Sequence, residues 1–277
     1  MSLDLRQTAE YASYMGLLRW EVVVLKNTEG HVVRGFLKRI PLLGSVLKIQ
    51  RYKGVLEDFT GGINPAIIYL EPLETVPSGF EKAKTCFVPS KTIQIDLTKS
   101  EKELSKNLKQ KTRYNIKIAE KNGVVVKKSL GLSGFIKLWL ASARARGMWL
   151  PQRREIVSLC AAFTRNVSIY LASQNGDVLG GLLIVSTPNT AYYMFAASTE
   201  EGKKLFAPTL LTWHAIRDAQ KGGKKIFDFE GIYDERYENT KAWTGFTKFK
   251  EGFGGEVITY PGTFVKYSSP LLKILDF

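Results

Sequence analysis

Apolar and polar positions alternate over three short stretches near the start of the chain, Glu21–Leu25, His31–Arg39 and Ser45–Tyr52, separated by Asn-, Gly- and Pro-containing breaks. A period of two is what a half-buried strand requires, so these predict a sheet-rich first lobe. From Glu71 to Pro89 the pattern loosens around Pro72, Pro77, Gly79 and Pro89. Proline lacks the donor a ladder needs, so no central strand is expected there, and the lobe boundary is placed near it. Alternation resumes at Lys91–Leu97, after which Thr98 or Ser100 can cap one helix running to about Asn122 and ending at Gly123.

A β-branched run, Gly123–Lys128, leads into helical periodicity over Ser133–Arg146 and Gln152–Thr164. Val167–Ser173, Val178–Ser186 and Thr190–Ala197 then read as a strand meander, joined by the turn signals Asn175-Gly176 and Pro188-Asn189. Pro208 opens a helix that stops at Gly222-Gly223, with Leu211, Trp213, Ala215 and Ile216 on its apolar arc and His214, Arg217 and Asp218 on its wet side. Lys225–Phe229 and Glu256–Tyr260 are the last expected strands, with a glycine-rich loop region between them. Strands alternating with helices around an antiparallel meander predict an α/β (α+β) fold with mixed sheets.

Composition adds limits to this picture. The 277 residues, 44% apolar and 24% charged, are ordinary for a globular chain and leave room for two lobes. The two cysteines, Cys86 and Cys160, lie far apart, so neither a disulfide framework nor a thiolate metal site is expected. The start MSLDLRQTAEY lacks a basic segment leading into an apolar core, and a cytoplasmic protein is expected. Forty Lys and Arg against 26 Asp and Glu give a formal charge of +14, which favours polyanionic partners: nucleic acid, nucleotide diphosphates or anionic lipid.

Much of that charge is local. Lys99–Lys128 carries ten Lys and Arg but only Glu101, Glu103 and Glu120. Read as one helix, its core stripe of Leu104, Leu108, Ile118 and Ala119 is interrupted by Lys111 and Asn115, which argues for phosphate or nucleic-acid contact as well as for a solvated face. A second cluster, Phe227-Asp-Phe-Glu-Gly231 with Gly245-Phe-Thr-Lys-Phe-Lys250 and Gly252-Phe-Gly-Gly255, sets a lysine among aromatics beside glycines. Such a lysine can face a developing oxyanion, although spacing alone reads equally as a turn with a surface lysine. No Walker loop or GxGxxG fingerprint occurs. His31 and His214 lack metal-ligand company, so no metal is expected.

The stretch Leu108-Lys-Gln-Lys-Thr-Arg-Tyr-Asn-Ile-Lys-Ile-Ala-Glu-Lys-Asn-Gly-Val124 resembles the TRYNI…AEKxGV element of the FemABX family. Gly223–Gly231 is similar to that family's G…DFxG strand, and Phe249–Gly255 to its FKxxFGG loop. The likeness runs from about Lys91 to the C-terminus and is looser before it, through Tyr11–Trp20 and Tyr52-Lys53-Gly54. It implies two GNAT-like acyltransferase lobes without a coiled-coil arm. The first would comprise residues 1–90 with 257–277, the second residues 91–256, carrying the basic helix and the FKxxFGG loop.

The resemblance also implies transfer of an amino acid from aminoacyl-tRNA to the stem-peptide amine of a peptidoglycan precursor, UDP-MurNAc-pentapeptide or lipid II, in cell-wall synthesis. Aminoacyl-tRNA would be a co-substrate and no cofactor would be needed. The aminoacyl ester is already activated, so the lack of a Ser-His or Cys-His pair is no objection. By this likeness Lys250 is the catalytic residue, stabilising the oxyanion or the tRNA terminus. Lys53, Arg113, Arg153, Tyr193 and Phe249 would bind substrate, with Arg154 equally possible in place of Arg153 after Gly147-Met-Trp-Leu-Pro151. Lys109, Lys111 and Lys117 would contact tRNA phosphates, and the enzyme would work in the cytoplasm, with a possible place at the inner membrane face. An acyl-CoA-dependent N-acyltransferase and a non-catalytic RNA-binding protein are the alternatives. Ser198–Pro208 argues against CoA, because it sets one glycine, two carboxylates and an N–H-less proline where bare amides would be needed.

Overall fold

The computed structural model describes residues 3–41, 44–60, 62–145 and 153–274. In chain order its elements are α1 (Ala9–Leu17), β1 (Glu21–Lys26), β2 (Val32–Ile40), β3 (Gly44–Tyr52), β4 (Ile67–Pro72), β5 (Glu81–Lys82) and β6 (Lys91–Asp96). Next come α2 (Glu101–Asn107), α3 (Gln110–Lys121), β7 (Val125–Ser129), α4 (Ser133–Ala145), α5 (Arg153–Phe163), β8 (Val167–Gln174), β9 (Asp177–Ser186) and β10 (Thr190–Ser198). The last are α6 (Glu200–Lys204), α7 (Ala207–Lys221), β11 (Ile226–Gly231), α8 (Thr244–Glu251), β12 (Glu256–Thr259), β13 (Phe264–Tyr267) and α9 (Pro270–Ile274). The predicted helix ends at Arg146 and Gln152, and the segment Gly147–Pro151, lie outside the described residues.

The chain groups into two compact units, Met1–Lys91 with Tyr233–Ala242 and Thr259–Phe277, and Thr92–Ile232 with Trp243–Ile258. Tyr233–Ala242 thus sits with the first unit although its sequence neighbours belong to the second. The reason is chemical. Asp234 is fully buried and accepts bonds from Ser90 Oγ at 2.5 Å and Arg236 Nη2 at 2.6 Å, while the Tyr237 hydroxyl accepts the Thr263 amide at 2.9 Å.

The first unit is built on a six-stranded sheet in the order β1-β2-β3-β4-β13-β5, antiparallel except for the parallel β3–β4 pair. Strand β4 shows no alternation: Ile67–Leu70 is a short, largely buried apolar run that stops at Glu71 and Pro72. Helix α1 was missed as well. Only Tyr11 and Met15 of it are buried, and its clearest signal is the Thr8 side chain accepting the Tyr11 amide as N-cap.

The second unit has a seven-stranded sheet, β12-β6-β11-β10-β9-β8-β7, in which β10 and β11 run parallel. On β9, a Cβ at Gly180 would press on Leu211 of α7 and one at Gly181 on Phe135 of α4, so the two helices cover opposite faces. The core gathers Ile93, Ile95, Leu104, Ile116, Ala119, Leu182, Leu211, Ile216, Phe227 and Phe229.

The single long basic helix expected from Thr98 or Ser100 to Asn122 is two helices. Ser100 and Glu103 form a reciprocal capping box that starts α2, but Leu108 and Lys109 are extended at ψ 140° and 147°. These two residues rephase the chain, so α3 buries Thr112, Ile116 and Ala119 and leaves Lys111 exposed. The apparent interruption of the apolar stripe therefore carries no argument for phosphate contact. Among the described residues no helix exceeds the 15 residues of α7, and none is long and apolar enough to cross a membrane.

Candidate active site

The FK element lies on helix α8, not in the loop expected from its glycines. Phe246, Phe249 and Phe253 recur at helical spacing and were the available signal. Aromatic contacts fix this helix: the Phe249 and Phe253 ring centres lie 5.2 Å apart, Phe253 and Phe229 5.5 Å, and Phe229 and Tyr193 5.6 Å. Immediately after α8, Gly254 and Gly255 take φ of +78° and +93°. A Cβ on either would stand 2.8 Å from the Asn107 carbonyl and 2.5 Å from the Gln94 carbonyl, respectively. Only glycine permits both the left-handed turn and this approach, which ties the end of α8 to β6 and α2.

Lys250 emerges from α8 into this setting and is only 9% exposed. Its ammonium donates to the Gly231 carbonyl at 2.5 Å and stands 5.6 Å from the centre of the Tyr193 ring. Burial lowers its pKa to about 8, against the attraction of Glu230 and Asp228, which raises it. Asp228 is pushed the other way, up to about 6, by burial and by the nearby Glu230. It accepts bonds from Thr92 Oγ1 at 2.5 Å, Gln94 Nε2 at 2.8 Å and the Glu230 amide at 2.7 Å. Burial likewise raises the Tyr193 hydroxyl to about 12, so it stays protonated.

Beside this group opens a cavity of about 370 Å³, lined by Tyr193, Ala196, Leu211, Thr212, Phe246 and Phe249 among others, with Lys203 also on its wall. Parallel pairing of β10 with β11 covers only Thr190–Tyr192 against Ile226–Asp228, so Tyr193 is the first residue of β10 beyond the paired stretch. Of the residues expected from sequence, the structure brings Tyr193, Phe249 and Lys250 together. Lys109 is tied to the end of α8, its amide donating to the Gly252 carbonyl at 2.9 Å and its ammonium pairing with Glu251 at 2.9 Å.

The others are placed differently. Arg113 turns its Nη1 back to the Lys106 carbonyl at 3.0 Å and to the Leu108 carbonyl, capping the end of α2. Arg153 is exposed at the start of α5, as are Lys111 and Lys117 on α3. Lys53 belongs to the first unit and pairs with Glu74 at 3.3 Å. Asp228, Glu230 and Gly231 lie in the Phe227–Gly231 segment noted above, but no pattern in the sequence assigns them a role. Among the described residues no group of three or more His, Cys, Asp or Glu could hold a metal ion.

Residues 152–275, which carry β8–β11, α8 and the Lys250 site, match the model of the FemAB family. This part of the chain is similar to the FemAB family. The fold is shared more widely. The crystal structure of FemX is 16% identical with a TM-score of 0.80, over 99% of this chain and 95% of that one. The C-terminal domain of a putative lysylphosphatidylglycerol synthetase from Agrobacterium fabrum is 11% identical with a TM-score of 0.64, over 99% and 93%. A tandem GNAT protein from the clavulanic acid biosynthesis pathway is 12% identical with a TM-score of 0.53, over 96% of each chain. The architecture is thus GNAT-like, and the described residues form no coiled-coil arm. No curated protein matches the chain.

Proposed function

We propose that this chain transfers an amino acid from aminoacyl-tRNA to the stem-peptide amine of a peptidoglycan precursor, UDP-MurNAc-pentapeptide or lipid II. The observation that carries the reading is Lys250, a buried cation on α8 beside a cavity walled by Tyr193 and Phe249. An amine attacking an aminoacyl ester builds negative charge on the carbonyl oxygen. A positive charge held in a dry, fixed setting stabilises that oxyanion far better than one in water. Below pH 8 the lysine is mostly protonated, as that role requires. Tyr193 and Phe249 would orient the donor, and the exposed Lys111 and Lys117 would meet tRNA phosphates. Lys53 and Arg153 are retained as acceptor contacts on the strength of the resemblance alone. No cofactor is required, and the work would be cytoplasmic, with lipid II drawing the enzyme to the inner membrane face.

The acyl-CoA alternative is disfavoured by the turn into α7. Leu205 and Phe206 donate to the Glu201 and Lys203 carbonyls, Thr209 and Leu210 both donate to Phe206, and Pro208 has no N–H. Few amides are left there to hold a pyrophosphate. The test offers labelled aminoacyl-tRNA or labelled acetyl-CoA with the two precursors and phosphatidylglycerol as acceptors. Transfer from tRNA to a precursor supports the proposal. Use of acetyl-CoA alone, or transfer to phosphatidylglycerol alone, overturns it.

A further inference from the structure

Strand β11 carries one residue too many for a regular ladder. Asp228 pairs with Gln94 and Gly231 pairs with Thr92, so two residues on β11 stand where β6 has Ile93 alone. Such a bulge bends the strand and interrupts the local ladder, which re-aims the groups beside it. Its second residue, Glu230, has φ of +57°, a conformation a non-glycine adopts only when something holds it there. The holder is in view: Asp228 Oδ1 accepts the Glu230 amide, and Thr92 and Gln94 grip the same carboxylate. The next carbonyl, that of Gly231, is the one that receives the Lys250 ammonium.

We propose that Asp228 is a positioning residue for Lys250, pinning the β11 bulge so that the Gly231 carbonyl meets the ammonium, and supplying a fixed counter-charge behind it. A carboxylate that only closed a strand would gain little from its charge in so buried a place, where a neutral amide of the same shape would cost less to bury. The charge is explained by its attraction for the Lys250 cation. Of the charged groups around Lys250, Glu230 and Asp228 are the two carboxylates that act on it, and Tyr193 faces it as a neutral phenol.

The inference rests on Lys250 being the reacting-site cation, but its test needs no substrate and so stands or falls apart from the transfer reaction. The full chain labelled with ¹³C-lysine is titrated by NMR, the Lys250 signal being assigned by its loss in Lys250→Met. Asp228→Asn keeps the shape and an acceptor for the Glu230 amide while deleting the charge. The Lys250 midpoint is expected to fall by about one unit, a roughly tenfold loss of proton affinity. Asp228→Ser, whose hydroxyl can also accept that amide, gives a second reading with the same expected direction if the asparagine variant folds poorly. A midpoint that stays put overturns the proposal. So does one that rises toward the ordinary lysine value, because it means the substitution merely loosened the strand and let Lys250 into water.

Discussion

The ammonium of Lys250 stands 5.6 Å from the centre of the Tyr193 ring, in a place where it is 9% exposed. Holding a cation there costs stability. With its folded pKa lowered from 10.5 to about 8, the native state binds fewer protons than the unfolded chain between those values. Stability therefore rises with pH across that window, and the penalty is fully present below it. Lys250→Met removes the penalty. Its advantage over the wild type in urea unfolding is expected to shrink by about 3 kcal/mol between pH 7 and pH 10.5. A constant difference would mean that Lys250 is not desolvated.

Gly255 holds α8 in place through a backbone that passes the Gln94 carbonyl, where a Cβ would stand 2.5 Å away. Gly255→Ala is expected to lower stability by roughly 2–4 kcal/mol, combining a left-handed φ with a backbone clash. If the variant still folds, displacement of α8 should reduce transfer by about 100-fold, since small errors in the position of a catalytic group are costly. Urea unfolding and a transfer assay on the same sample measure both effects.

In the first unit, hydrogen bonds from Arg236 and Ser90 outweigh the effect of burial and hold the Asp234 carboxyl well below the usual range. Asp234→Ala removes the carboxylate partner of Arg236 and should cost about 3 kcal/mol, the lower end for a broken buried pair, because Arg236 is 26% exposed and keeps its bonds to the Tyr260 and Pro261 carbonyls. A depressed carboxylate contributes stability above its unfolded pKa and loses it as pH falls toward the folded one. The gap between wild type and variant should therefore narrow below about pH 4. Denaturant titrations at pH 7 and pH 3 check the sign.

These sites were unevenly legible in the sequence. Strands β1–β3 and helix α7 were plain because each has one wet face, and periodicity reports that difference; β9 is buried throughout Leu179–Val185, and the meander was marked by its turns at Asn175-Gly176 and Pro188-Asn189. Strand β4 was hidden because its apolar run is short and ends at Glu71 and Pro72, with no alternation to mark it. The basic segment was misread because two extended residues, Leu108 and Lys109, reset its phase, and no side chain announces that break. Lys250, Phe249 and Tyr193 were reached through family likeness. The role of Asp228 depends on a bulge that only the pairing of β11 with β6 displays.

The exposed lysines of α3 make a further prediction. If Lys111 and Lys117 each meet a tRNA phosphate, Lys111→Ala or Lys117→Ala should weaken binding and flatten the plot of log affinity against log salt by about 0.7–0.9 per residue. Arg113→Ala should act instead on stability, because its guanidinium is engaged by the α2 carbonyls. Filter binding of charged tRNA across a salt series, beside thermal unfolding, separates the two.

The most direct measurement of the central claim is transfer of labelled amino acid from a mixed pool of charged tRNA to UDP-MurNAc-pentapeptide or lipid II, comparing wild type with Lys250→Ala. Loss of an oxyanion-stabilising group predicts a fall in kcat of about 100- to 1000-fold with tRNA binding retained. Transfer that survives the substitution, or a wild-type protein that transfers to neither acceptor, would contradict the account.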